Sequence, residues 1–192
     1  MKSVILASQS PRRRQLLEQV NIPFSVVPSS VEEIVDNTLS PADIAMSLAK
    51  QKADEVFKRY PESVVIGADT IVVAQGRILE KPSDVQEAYS MLQVLSDVSH
   101  SVVTGVTINS HEKTVTFYEE TIVHFYPLTH EEIERYVSSG EPFDKAGAYG
   151  IQGLGAALVK KIEGDYFTVV GLPIAQVVRT LKKFDIYQTS SN

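Results

Sequence analysis

Short runs of apolar and β-branched residues alternate along the chain with stretches of helical period, and the helical stretches open on clear start signals. The strand-forming runs are Val4–Ala7, Phe24–Val27, Val64–Gly67, Thr70–Ala74, Arg77–Glu80, Ser101–Asn109, Thr114–Phe125, Ala156–Ile162 and Tyr166–Val170. Ser10-Pro11 supplies an N-cap followed by proline at the first helical position, which opens a helix over Arg12–Val20. Ser40-Pro41 repeats the device for a helix reaching about Tyr60, with Asp43 in its first turn. Ser83 with Gln86, and Thr129 with Glu132, fit a capping box. A last helix follows Gly171-Leu172-Pro173 and runs to about Phe184, with Ile174, Val177, Val178 and Leu181 on one face. The pair Gln75-Gly76 predicts a hairpin turn. Strands and helices alternating at this spacing mean an α/β fold, a mixed, partly antiparallel sheet flanked by helices, with antiparallel pairing in the long runs after Ser101.

A chain of 192 residues is long enough for one sizeable core, or for one core with a small second lobe and a cleft between them. No repeat, low-complexity tract or linker interrupts it, so residues 1–187 read as a single domain, with Gln188–Asn192 a polar tail expected to fray. Cysteine is absent, which excludes disulfides, thiolate metal sites and a cysteine nucleophile, and suits a reducing cytosol. The apolar run near the start, Val4 to Ala7, is too short for a signal segment or a membrane span, so a cytoplasmic protein without a membrane partner is expected. The net charge of −6 argues against broad nucleic-acid binding, which needs a basic surface. It leaves room for a small anionic ligand in a local basic pocket.

Basic residues are placed accordingly. The first strand runs straight into Ser8-Gln9-Ser10-Pro11-Arg12-Arg13-Arg14 at a helix start, where free N–H groups and the helix dipole favour anions. Arginines there oppose the dipole, and three in a row make sense around a polyanion; an exposed basic turn with no ligand is an equal reading of these residues alone. Val64–Gly67 leads into Ala68-Asp69-Thr70, which puts a carboxylate at a strand's end, where α/β folds bind ligands. Such an aspartate can hold a hard cation, activate water, or cap a turn. Glu32-Glu33 could supply a second carboxylate, though an exposed acidic pair is usually solvated surface. Lys52 is ordinary alone, and Lys81-Pro82 stands just before a helix cap. Asp144–Gly153 gathers small residues around Tyr149 and Gln152, a tight loop where backbone can approach a flat ligand, and equally a structural turn. The chain has no phosphate-binding G-x-x-x-x-G-K-[ST] loop and no G-x-S-x-G elbow. His100, His111, His124 and His130 lack metal-ligand spacing and read as surface or strand residues.

Together these elements resemble the Maf family of nucleotide pyrophosphatases, whose fold is akin to that of inosine-triphosphate pyrophosphatase. The resemblance spans essentially the whole chain. It rests on Ser8-x-Ser10-Pro11-Arg12-Arg13, Glu33, Ala49-Lys50-Gln51-Lys52-Ala53, Gly67-Ala68-Asp69-Thr70, Lys81-Pro82, Asp144–Gly153 and Gly164-Asp165-Tyr166, in that order. It implies hydrolysis of a nucleoside triphosphate between its α and β phosphates, with Mg²⁺ or Mn²⁺ held by Glu33 and Asp69. Asp69 is implied as the proton acceptor, with Lys52 and Lys81 as further catalytic residues. Arg12, Arg13, Lys52 and Lys81 would clamp phosphates, helped by the Ser8 and Ser10 hydroxyls. The match is similar to the subgroup acting on dTTP and UTP, in which Arg12, Thr70 and Gln152 mark substrate preference. The Gln152 amide offers both a donor and an acceptor to a uracil or thymine edge. A homodimer is compatible with the resemblance. The alternative from another class is a non-catalytic nucleotide- or protein-binding regulator of cell division or septum formation.

Overall fold

In the computed structural model, which describes residues 2–189, seven strands form one mixed sheet. The chain runs β1 (Val4–Leu6), α1 (Pro11–Gln19), β2 (Ser25–Val26), α2 (Pro41–Arg59), β3 (Val64–Ala74), β4 (Arg77–Leu79) and α3 (Val85–Leu95). It continues through β5 (Ser99–Asn109), β6 (Thr114–Phe125), α4 (His130–Ser138), β7 (Val159–Glu163), α5 (Tyr166–Val170) and α6 (Ile174–Leu181). The sheet order is β2-β1-β3-β5-β6-β7, with β4 paired to β3. β1 is parallel to both β2 and β3, whereas β4 on β3 and β7 on β6 are antiparallel. The α/β class and the mixed sheet are as the sequence predicts. No helix among the described residues is long and apolar enough to cross a membrane.

The chain divides into two compact units. The first comprises the described residues of Met1–Asp69, Thr104–Glu119 and Gly171–Asn192. Part of its core is Ile5, Ala7, Ala53, Val56 and Val65, with Val27 and Phe57 packed against them. Helix α2 lies unusually close to the sheet because it presents Ala45, Ala49 and Ala53 at four-residue spacing, one row along a helix. The strands answer with glycines. A Cβ on Gly67 would fall 2.3 Å from the carbonyl oxygen of Ala49, and one on Gly105 would fall 2.3 Å from that of Ala45. The start of the C-terminal tail is tied down: Gln188 Nε2 donates to the Val20 carbonyl at 3.0 Å, and the Thr189 amide donates to Asn21 at 2.9 Å. The rest of the tail expected to fray lies outside the described residues.

The second unit comprises Thr70–Val103 and Glu120–Val170. Its core packs Leu92, Leu95, Val123, Phe125, Ile133 and Tyr149 among others. The β3–β4 hairpin turns on Gln75 and Gly76, both with positive φ (49° and 74°), as a two-residue turn matched to strand twist requires. Thr129 and Glu132 form the expected capping box on α4.

Four local expectations are corrected. Val64–Gly67 and Thr70–Ala74 are one continuous strand, so Asp69 sits inside β3 and not at a strand's end. Tyr166–Val170 is helix: Asp165 Oδ2 accepts from the Thr168 amide at 2.7 Å and its hydroxyl at 2.9 Å, and a five-residue apolar run has no period of its own to resist that cap. The strand expected over Ala156–Ile162 starts later: Ala156–Leu158 ends a 3-10 stretch, Gly153–Leu158, and only from Val159 is the segment strand, β7. The α3 cap is shifted by one residue from the Ser83–Gln86 pairing: Asp84 accepts from the Glu87 amide, and Glu87 reaches back to Ser83. An ionised carboxylate in the first turn also suits the helix dipole better than Gln86 would.

Candidate active site

The close approach of α2 creates the main charged cluster. Gly67 and Asp69 are two residues apart in β3 and so project from the same face. Where Gly67 admits the helix backbone, Asp69 meets the next side chain along it. Lys52 Nζ lies 2.5 Å from Asp69 Oδ1 and 3.1 Å from Glu33 Oε1. Lys52 and Asp69 are largely buried, with 16% and 14% of their side-chain surface exposed, while Glu33 is 43% exposed. The two carboxylates thus converge on one ammonium, and the more open carboxylate is the one on the irregular segment.

That segment, residues 27–40, has almost no secondary structure, yet its backbone is held. Gln51 accepts from the Ile34 amide and donates to the Ile34 carbonyl, both at 2.9 Å. Glu55 accepts from the Ser30 amide at 3.2 Å, and Arg59 donates to the Pro28 carbonyl at 3.0 Å. Residues 51, 55 and 59 form one row along α2. Sequence reading missed this row; its signal was the four-residue spacing of polar side chains on the face opposite the alanines. Gln51 is the member that fixes Glu33, because it holds both backbone groups of the next residue.

The helix start is organised around Arg13. Ser10 is the N-cap and accepts from the Arg13 amide at 3.4 Å, and Ser8 Oγ accepts from the Ser10 amide at 3.2 Å. Arg13 donates through Nη1 to Ser8 Oγ at 3.1 Å and through Nε to the Gly171 carbonyl at 2.7 Å. Burial lowers the Arg13 guanidinium from its ordinary range; Asp69 opposes that shift, Arg12 adds to it, and Glu33 opposes it. Arg13 therefore shares the field of the carboxylate pair. The arginine run is not one cluster. Arg14 turns outward and pairs with Glu18 at 2.8 Å on its own helix, and Arg12 is half-buried. Ser8, Ser10, Arg12, Arg13, Glu33, Lys52 and Asp69 all belong to the first unit.

Thr70, Lys81 and Gln152 belong to the second. Thr70 is half-buried in β3, and Lys81 is exposed between β4 and α3. Gln152 is half-buried and stands at the N-cap of the 3-10 stretch Gly153–Leu158 without a side-chain capping hydrogen bond. The small residues around it are turned toward the protein itself. A Cβ on Gly150 would fall 2.6 Å from Lys145 Cε, and one on Gly147 would fall 2.9 Å from Val72 Cγ1. These glycines accommodate the protein's own side chains, where the sequence suggested approach to a flat ligand.

His100 is buried in β5, its Nε2 2.7 Å from the Tyr149 hydroxyl and its ring edge-on to Phe125 and Tyr149. Its Nδ1 is buried with no hydrogen-bond partner, and burial, helped by His124, pushes its pKa down to about 4. It is a neutral core residue. Among the described residues, no group of three or more His, Cys, Asp or Glu side chains could hold a metal ion by itself.

Comparison with known proteins covers nearly the whole chain. The family model described as Maf-like protein matches residues 3–184. A protein of Bacillus cytotoxicus named dTTP/UTP pyrophosphatase is 60% identical over 185 residues, which is 96% of this chain and 97% of that protein. Proteins of the same name from Bacillus cereus (59% over 186 residues, 97% of each chain) and Bacillus mycoides (58% over 185 residues, 96% and 97%) are similar to the same extent.

Proposed function

This chain belongs to the Maf family, and from that premise we propose that it hydrolyses dTTP and UTP to the nucleoside monophosphate and pyrophosphate. Near-full-length relatives carrying that activity in their names support the reaction. The observation that carries the chemistry is the Asp69 carboxylate, fixed by Lys52 and joined by Glu33 and Arg13 in one unit.

A triphosphate is a dense polyanion, so its hydrolysis depends on positioning and on cations rather than covalent catalysis. Water attacks at the α–β linkage, a new P–O bond forms, the bridging P–O bond breaks, and Asp69 takes the proton from the water. Lys52 orients that carboxylate through its ion pair. Arg13 and Arg12 offer guanidinium donors to phosphate oxygens, with Lys81 as a further cation. Ser8 and Ser10 act first on the protein, by aiming Arg13 and capping its helix; their hydroxyls are further donors to offer a phosphate.

Glu33 and Asp69 fit a hard divalent cation, Mg²⁺ or Mn²⁺: two carboxylates converge on the Lys52 ammonium, and a two-carboxylate set is the kind that takes its other ligands from water and substrate phosphates. Such an ion, when bound, offsets phosphate charge. In the second unit, the Gln152 amide reads the uracil or thymine edge, and Thr70 and Arg12 contribute to the choice of substrate. Gln152 suits that part because its amide is not used to cap the 3-10 stretch that follows it. A purely regulatory role in cell division has no observation in its favour.

The test is pyrophosphate release from UTP, dTTP, CTP, ATP and GTP, with and without Mg²⁺. The expected order of kcat/KM is UTP and dTTP above CTP, and CTP above both purines, with activity lost on chelation. ATP or GTP as the best substrate would overturn the pyrimidine reading.

A further inference from the structure

The loop that carries Gln152 is hung on one pair, the half-buried Glu141 and the buried Tyr136. Glu141 Oε2 accepts from the Leu154 amide at 3.0 Å, and Oε1 accepts from the Gly155 amide at 3.1 Å. Oε1 also accepts from the Tyr136 hydroxyl at 3.0 Å. The Tyr136 oxygen in turn accepts from the Gly150 amide at 3.2 Å. Backbone on both sides of Gln152, two positions before it and two and three after, is thereby tied to one carboxylate and one phenol. Lys145 fixes the carboxylate's own residue, donating to the Glu141 carbonyl at 2.5 Å and to Asp144 at 2.6 Å.

Sequence and backbone are built for this arrangement. Gly153 has φ +67°, and a Cβ there would fall 2.7 Å from Glu141 Oε2; a Cβ on Gly155 would fall 2.8 Å from the Tyr136 hydroxyl. Burial pushes the Glu141 carboxyl up, but the Leu154 and Gly155 amides, the Tyr136 hydroxyl and Lys145 outweigh it and hold it below its ordinary value. Burial also raises the Tyr136 phenol, so at neutral pH it stays a donor to Glu141.

We propose that Glu141 and Tyr136 are the positioning pair for pyrimidine selection, holding the backbone on either side of Gln152 so that its amide meets the base edge in one orientation. The pair touches no reacting atom; it sets the base-to-base discrimination of a pyrimidine nucleoside triphosphatase. The inference rests on the reading of Gln152 as the base-reading residue. An amide side chain at position 141 cannot replace the carboxylate, because its NH₂ would face one of the N–H donors, leaving that donor unpaired.

The experiment measures steady-state kinetics on UTP, on CTP and on ribose 5-triphosphate lacking a base, for the wild type, Glu141→Gln, Tyr136→Phe and Gln152→Ala. Amide hydrogen exchange at Leu154 and Gly155 is followed in the same proteins. Glu141→Gln is expected to lower the UTP-to-CTP ratio of kcat/KM on the order of tenfold, with a smaller loss on the base-free substrate. Tyr136→Phe should move the ratio in the same direction by less, and both variants should speed exchange at the two amides. The proposal is overturned if Gln152→Ala collapses the ratio while Glu141→Gln and Tyr136→Phe leave it in place. It is equally overturned if those two variants lose activity evenly on all three substrates. A ratio untouched by Gln152→Ala would instead sink the underlying assignment of Gln152.

Discussion

Asp69 lies within a strand and is gripped by side chains, whereas Gln152 lies in a loop whose backbone is gripped on either side and whose side chain makes no cap. In the first unit, Lys52 on α2 meets Asp69 and Glu33 directly, with the helix packed close on two glycines and Gln51 holding the backbone beside Glu33. In the second unit, the Glu141 carboxylate collects two amides and a hydroxyl and has no other evident task. On the roles proposed for Asp69 and Gln152, the difference follows from what each region would handle. A group that moves protons or meets phosphate must be fixed at its charge, so other charges hold it. A group that reads a base needs its own donors and acceptors free, so the surroundings hold its backbone instead.

The sharpest way to break that comparison is to remove the charge at the centre of the first unit. Asp69→Asn keeps the shape and is expected to cut turnover by roughly 10²–10⁴-fold, the range for an acid–base group. The melting temperature should shift by only a few degrees. A folded variant with near-normal turnover would take Asp69 out of the mechanism.

Next in size is a pH effect confined to the second unit. His100 titrates near 6.5 in an unfolded chain but at about 4 when folded, because burial disfavours its charged form. Between those values the unfolded state binds the extra proton, so stability is full above pH 6.5 and is lost as pH falls toward 4. The whole loss is about 3 kcal/mol. Denaturant titrations from pH 7 to pH 4 on the wild type and on His100→Asn should show that difference in slope; parallel curves would mean that His100 charges freely in the fold.

The two units also differ in how readable they were. The elements of the first were legible because their signals are local: Ser10-Pro11 and Ser40-Pro41 cap as such pairs do, and both helices start where those pairs stand. Lys52, Asp69 and Glu33 were legible as charges, but what unites them, the alanine row on α2 against Gly67 and Gly105, is a tertiary fact. The Gln51, Glu55 and Arg59 row was hidden for the same reason. In the second unit, the Asp144–Gly153 segment stood out by composition, yet Glu141, which organises it, precedes the conspicuous residues and looks like any surface glutamate. Asp69 was misplaced at a strand's end because Gly67 resembles a stop; here the glycine admits a helix while the strand continues.

That packing argument gives the third prediction. Gly67→Ala puts a methyl group against the backbone of Ala49 and Ala53, atoms that cannot rotate away. Overpacking of this kind costs about 1–3 kcal/mol, and the displaced helix carries Lys52 with it. Denaturation midpoint and turnover should therefore fall together. Full activity with wild-type stability would show that α2 is not seated by Gly67.

The smallest expected effect separates the arginines from one another. Arg14 opposes the dipole at the start of α1, at a cost of about 0.3–1 kcal/mol, and recovers about 0.2–0.5 kcal/mol through its pair with Glu18 one turn on. Its partner differs from those of Arg13, which is engaged with Ser8 and Gly171. Arg14→Ala removes both terms, so they nearly cancel. Stability should change by less than about 0.5 kcal/mol, in the stabilising direction if the dipole dominates. Raising the salt concentration should shrink even that difference, since both terms are screened at an exposed site. Kinetics on UTP should be those of the wild type, whereas Arg13→Ala should lose both phosphate affinity and stability, because its donors hold Ser8 and the Gly171 carbonyl. An Arg14→Ala enzyme with a many-fold higher KM would show instead that all three arginines face the triphosphate, and that the Arg14–Glu18 pair opens when substrate binds.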